Sequence, residues 1–122
     1  MDIQIKRVYD PVSQNDGARI LVDGIWPRGI KKKDLYLDLW LKGAAPSTSL
    51  RKWFSHKEEK WDKFKRLYFA ELEGKAEVLD KLTAIAKHNK KLTLLYSARN
   101  RQYNQAAALK EFLENEFEIF EK

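Results

Sequence analysis

Leu92-Thr93-Leu94-Leu95-Tyr96-Ser97-Ala98-Arg99-Asn100 is the stretch whose reading decides the fold. From Leu92 to Tyr96 the residues are apolar or β-branched without interruption, and the run stops at a polar turn. That is the pattern of a strand buried on both faces. A helix is expected to start at this turn, with Ala106, Leu109 and Leu113 directed inward. A second run of the same kind lies at Arg19 to Trp26, carrying Ile20, Leu21, Val22 and Ile25, and ends at Trp26-Pro27-Arg28-Gly29. Ahead of it, Ile3, Ile5, Arg7 and Tyr9 alternate with Gln4, Lys6 and Val8, which is strand periodicity closed by Asp10-Pro11. The polar turn from Ser13 to Gly17 is short enough for these first two strands to form a hairpin.

The middle of the chain reads as mainly helical. Leu35, Leu37, Leu39 and Leu41 alternate with Tyr36, Asp38 and Trp40, which predicts a short strand, a helix ending at Gly43 being the alternative. Ser47 is placed to cap a short helix carrying Leu50, Trp53 and Phe54. Ser55 and Glu58 have the spacing of a capping box ahead of Trp61, Phe64, Tyr68 and Leu72, with Gly74 as the stop. Val78, Leu82 and Ile85 mark a further helix capped near Asn89, and Phe117 to Phe120 predict a final edge strand. The expected fold is a single small α/β domain over residues 1–122. It has a mixed open sheet with at least one parallel pair, and helices packed on its faces.

Composition narrows the function classes. With 43% hydrophobic and 34% charged residues, the chain is too apolar for a disordered tail and too polar for a membrane protein. Its longest apolar runs are far too short to span a bilayer. The start, Met1-Asp2-Ile3-Gln4, has no charged-then-apolar signal pattern, so a cytoplasmic location is expected. There is no cysteine, which excludes disulfides, thiolate metal sites and cysteine nucleophiles. His56 and His88 lack spaced partners, so neither a metal nor a cofactor is expected. The net charge is +6, a balance that suits an anionic partner or simply a soluble, lysine-rich surface.

Two loops carry the candidate chemistry, because sites in open α/β sheets lie beyond the carboxyl ends of strands. The first runs from Asp23 to Gly29. There Arg28 offers a planar fork for phosphate or carboxylate, and Trp26 a stacking or cation–π surface. The second is Tyr96-Ser97-Ala98-Arg99-Asn100, ahead of a helix whose first amides attract anions. It lacks the glycines and lysine of a P-loop. Parallel strands would bring Arg28 and Arg99 together, with Arg7 from the first strand. Such a cluster is either neutralised by Asp23 and Asp10 or left open to a ligand. The plainer alternatives are a packed surface turn around Trp26 and a helix capped by Asn100.

Taken together, these stretches resemble the YeaO-like branch of the domain-of-unknown-function 488 family. The carriers are Lys6-Arg7-Val8-Tyr9-Asp10, Val22 to Gly29, Asp38-Leu39-Trp40-Leu41-Lys42, Ala45-Pro46-Ser47, Leu50-Arg51-Lys52-Trp53-Phe54 and Leu95-Tyr96-Ser97-Ala98-Arg99. The resemblance covers nearly the whole chain and implies an α/β fold of unassigned activity. It implies a polar signature at Arg7, Asp23, Arg28, Arg99 and Asn104. It also exposes departures: Gly24 where the family usually has arginine, Asn100 where it has aspartate, and Tyr103 and Gln105 where it has histidine. The cysteine and His-Arg pair often found after the last strand in the wider family are missing. Losing ionisable groups favours binding over catalysis.

The leading expectation is therefore a site for a small phosphorylated or carboxylated molecule, formed by Arg7, Asp23, Trp26, Arg28, Tyr96, Ser97, Arg99 and Asn104. If there is catalysis, Asp23 is the acid–base candidate. The alternative is a basic nucleic-acid-binding or regulatory protein using Lys31-Lys32-Lys33 and Lys57, Lys60, Lys63, Lys65 and Arg66, although Glu58, Glu59 and Asp62 interleave with the latter. Aromatic side chains at Tyr36, Trp40, Trp53 and Phe120 leave both a monomer and a homodimer open.

Overall fold

The computed structural model describes the backbone of residues 2–121 and the side chains up to residue 115. Four strands form one sheet: β1 (Asp2–Arg7), β2 (Ala18–Leu21), β3 (Leu39–Trp40) and β4 (Lys91–Tyr96). Four α-helices accompany them: α1 (Thr48–Phe54), α2 (Trp61–Glu73), α3 (Ala76–Asn89) and α4 (Gln105–Glu121). The α/β architecture with an open sheet is that expected from the sequence.

The strand order is β1-β4-β2-β3, and every pairing is parallel. The hairpin between the first two strands does not form. β4 lies between them, pairing Ile5 with Leu94 on one side and Ile20 with Leu94 on the other. The cause is burial: Leu92, Leu94 and Leu95 are wholly inaccessible, and only the central position removes such a run from water on both faces. The polar turn after β1 is a crossover, containing a short 3-10 turn at Gln14–Asp16.

Alternation along β4 separates two cores. Leu92, Leu94 and Tyr96 join Ile20 and Val22 in the larger cluster, together with Phe64, Tyr68 and Leu72 of α2, Leu82 and Ala86 of α3, and Leu109 and Leu113 of α4. All four helices contribute to this one cluster. On the other side of the sheet, Leu21 and Leu95 meet Val8 and Leu35, covered by Trp26, Ile30, Leu37 and Trp40 from the long connection after β2. That connection leaves only Leu39–Trp40 as strand where a longer one was expected.

Helix boundaries also differ from expectation in places. Ser47 caps α1 as expected, accepting from the Leu50 amide. Ser55 does not open α2; it ends α1 in the left-handed conformation, and α2 begins only at Trp61. α3 ends one residue before Lys90, which takes the left-handed conformation that closes it. α4 spans Phe117 to Phe120, where an edge strand was expected, because the helical stripe continues past Leu113. The side chains there, including Phe120, lie outside the described residues.

Gly17 is where the crossover touches the sheet. Its φ is +64°, and a Cβ added there would sit 2.8 Å from the Lys91 Cβ and closer still to the Lys91 carbonyl. Both the backbone conformation and the space demand glycine. Gly17→Ala is expected to lower the unfolding free energy by about 2–4 kcal/mol in urea denaturation. A loss under about 0.5 kcal/mol would contradict this packing.

Candidate functional site

Parallel strands deliver their carboxyl ends to one edge of the sheet, and a cleft of about 600 Å³ opens there. The chain leaves β1 at Arg7, leaves β2 through Val22 and Asp23, and leaves β4 at Ser97. Arg7 lies in register with Tyr96, and the Val22 amide donates to the Leu95 carbonyl at 3.1 Å.

Asp23 is the structural centre of this edge. It is 7% exposed. One carboxylate oxygen accepts from the Ser97 amide at 2.9 Å and from the Ser97 hydroxyl at 2.7 Å. The other accepts from the Gln105 side-chain amide at the start of α4. Trp40 Nε1 donates to the Asp23 carbonyl at 2.7 Å. One residue thus joins the β2 exit, the β4 exit, β3 and the last helix. Burial outweighs these donors and the nearby Arg51 charge, and pushes the carboxyl above the ordinary aspartate range.

Four guanidiniums line the cleft: Arg7, Arg28, Arg51 and Arg99. Arg7 is spent on the backbone, donating from Nε to the Ala98 carbonyl at 2.9 Å and from Nη2 to the Ser97 carbonyl at 3.1 Å. These bonds shape the second loop without cancelling the charge. Arg28 and Arg99 are exposed and take part in no ion pair among the described residues. Arg51 reaches in from α1, its Nη2 donating to Thr48 Oγ1 at 3.2 Å while its buried Nε has no partner. Its guanidinium lies over Gly24, where an added Cβ would stand 3.3 Å away. Asp23 is the one carboxylate among the described lining residues, and both its oxygens are engaged. That donor set repels a metal cation and suits an anion.

The walls are partly aromatic. Trp26 donates from Nε1 to the Ile30 carbonyl at 2.7 Å, closing the loop around Pro27 and Gly29, and meets Trp40 edge-to-face at 5.3 Å. Gly29 has a φ of +78°, which this turn requires. Tyr9 is on the rim, its hydroxyl donating to the Arg28 carbonyl at 2.9 Å.

Six of the eight residues named from sequence therefore meet at the cleft: Arg7, Asp23, Trp26, Arg28, Ser97 and Arg99. Tyr96 and Asn104 are not in its lining. Tyr96 is 1% exposed within the main core, because it follows the inward alternation of β4. Asn104 is wholly buried as a cap: its Oδ1 accepts from the Ala107 amide at 2.8 Å, and its Nδ2 donates to the Asn100 carbonyl at 2.9 Å. The cap expected at Asn100 thus falls four residues later, and Asn100 itself organises the preceding turn through the Tyr103 amide. Sequence reasoning missed Arg51 and Tyr9. Arg51 sits on a helix remote in sequence from both loops. Tyr9 offered a signal, standing two residues after Arg7 on the same strand face.

Asp10 does not neutralise the cleft; it pairs with Arg101 through two bonds of 2.9 and 2.8 Å. Two cations of the basic stretch at the start of α2 are engaged within the chain: Lys60, just ahead of the helix, donates to the Trp53 carbonyl at 2.7 Å, and Lys65 pairs with Glu111 at 3.2 Å.

Two outcomes are expected. Asp23→Ala leaves the Ser97 and Gln105 donors without a partner and should cost about 3 kcal/mol of stability in chemical denaturation, whereas Asp23→Asn, which keeps an acceptor for Ser97, should cost less than half of that. Equal losses would remove Asp23 from its central role. The Arg101 hydrogen bond, aided by the Arg7 amide and opposed by burial, lowers the Asp10 carboxyl to about 2. Its ordinary value is 3.8, so the stability it adds is fully present above about pH 4 and is lost as pH falls toward 2. An NMR titration giving Asp10 an ordinary pKa, unchanged in Arg101→Gln, would contradict this.

Comparison with known proteins identifies the family. Residues 2–121 match the family model described as the inactive DUF488-N3 subclade. The uncharacterized protein YeaO of Escherichia coli K12 is 51% identical over 113 residues, covering 93% of this chain and 97% of that protein. Uncharacterized proteins of Mycobacterium tuberculosis (Rv3073c) and Mycobacterium bovis (Mb3100c) are each 43% identical over 83 residues, covering 66% of this chain and 70% of their own. No solved structure matches. No helix among the described residues is long and apolar enough to cross a membrane. From its first strand to its last helix, the chain belongs to the YeaO-like branch of the DUF488 family, in the subclade described as inactive.

Proposed function

We propose that the cleft at the carboxyl edge of the sheet binds a small phosphorylated or carboxylated molecule without transforming it. One observation carries this reading: four guanidiniums share a cleft with a single carboxylate whose oxygens are already hydrogen-bonded. Like charges facing one cleft repel one another, and a multiply charged anion relieves that repulsion. The fixed carbonyl contacts of Arg7 and the carboxylate hold of Asp23 preorganise the two loops, which lowers the cost of binding.

Binding is favoured over catalysis by the partners of Asp23. Gln105 is an amide and cannot relay a proton, so the buried Gln105–Asp23–Ser97 chain is a brace and not an acid–base relay. The description of the matched subclade as inactive supports the same view. A nucleic-acid surface around α2 is the weaker reading, since two of its five cations, Lys60 and Lys65, are held by groups of the protein itself.

Thermal-shift measurement with inorganic pyrophosphate and citrate tests the proposal. At tenfold excess over Kd, the wild type should gain about 3 °C or more, and Arg28→Ala or Arg99→Ala should lose at least half of that gain. Without an anion, the same variants should be no less stable than the wild type, to within about 0.5 kcal/mol, because each removes an unpaired like charge. Equal stabilisation of wild type and variants, or none for either anion, would overturn the assignment.

A further inference from the structure

Resting on that anion-binding reading, we infer that the ligand is a nucleotide, its phosphates taken by Arg28, Arg51 and Arg99 and its base stacked on Tyr9. The cleft of about 600 Å³ is many times larger than a phosphate or pyrophosphate needs, and its size falls in the range of sites for whole organic ligands. The charge has a matching scale. Several guanidiniums facing one engaged carboxylate call for more than one negative charge, which a diphosphate or triphosphate supplies on a compact chain.

Tyr9 indicates what the rest of the ligand is. It is 48% exposed, yet it is fixed at two points. Its hydroxyl donates to the Arg28 carbonyl at 2.9 Å, and the Arg7 guanidinium covers one ring face at 4.9 Å. An exposed aromatic ring held rigid, with a cation behind it, is a stacking platform whose ordering entropy has already been lost. Ile25 lines the same cleft and is 68% exposed, an aliphatic side chain with no partner of its own. A planar heterocycle resting against Tyr9 and Ile25 covers both, and the tie from Tyr9 to Arg28 links the stacking surface directly to the phosphate-binding loop. A sugar phosphate or polycarboxylate would use the arginines and leave the ring bare.

Isothermal titration of the full chain with ATP and with inorganic tripolyphosphate, at matched magnesium-free ionic strength, separates the two levels of the assignment. The wild type should bind ATP at least tenfold more tightly than tripolyphosphate, the size expected of one stacked base. Tyr9→Leu should abolish most of that difference while changing tripolyphosphate affinity less than threefold, and Tyr9→Phe, which keeps the ring, should retain at least a third of the ATP affinity. Melting curves of both variants verify folding. If tripolyphosphate binds as well as ATP, or Tyr9→Leu weakens both alike, the nucleotide assignment fails and the anion site stands. If neither ligand binds, both fail.

Discussion

The Asp23 carboxylate is the interaction on which the rest of this edge depends. It takes the amide and hydroxyl of Ser97 on one oxygen and the Gln105 amide on the other, so three chain segments that are distant in sequence meet at one buried group. A parallel sheet brings strand ends to the same edge but does not fix the loops beyond them. Here a single acid does so. Its oxygens are taken by neutral donors, so it forms no ion pair with the arginines around it among the described residues, and its charge reaches Arg51 only through space. The positive cleft follows from four guanidiniums facing this one carboxylate.

Charge and shape then act together. Arg7 binds two loop carbonyls and lies over Tyr9, Tyr9 holds the Arg28 carbonyl, and Arg51 rests on Gly24. Arg7 fixes backbone, Arg51 is tied to the Thr48 hydroxyl, and Arg28 and Arg99 stay exposed. Some other charges are paired within the chain, Asp16 with Lys6 and Arg19 and Asp10 with Arg101, whereas the four cleft guanidiniums take part in no ion pair among the described residues. The glutamine at 105, where the family resemblance leads one to expect histidine, turns a position suited to proton transfer into a brace, in keeping with a subclade described as inactive.

Much of this was legible in the chain because burial leaves a strong imprint. The uninterrupted run from Leu92 to Tyr96 marks a central strand, and the rule that sites lie beyond strand ends leads from it to Ser97, Arg99, Asp23 and Arg28. What failed depended on competition between distant segments. A short polar turn after β1 suits a hairpin locally, but pairing β1 with β2 would have left Leu94 and Leu95 without neighbours on both sides. Tyr96 has the chemistry of a site residue, yet the two-residue alternation of β4 sends it into the core. Asn104 is polar and follows the loop, but a helix start must satisfy its free amides, and the asparagine is used there. Arg51 was invisible to any local reading, since only the packing of α1 beneath the first loop brings it to Gly24.

NMR observation of the arginine Nε–Hε groups during titration with inorganic pyrophosphate tests the central claim most directly. The Arg28, Arg51 and Arg99 signals should shift together and saturate with one dissociation constant. Signals that stay in place while the anion binds elsewhere, or that drift linearly with concentration without saturating, would contradict it.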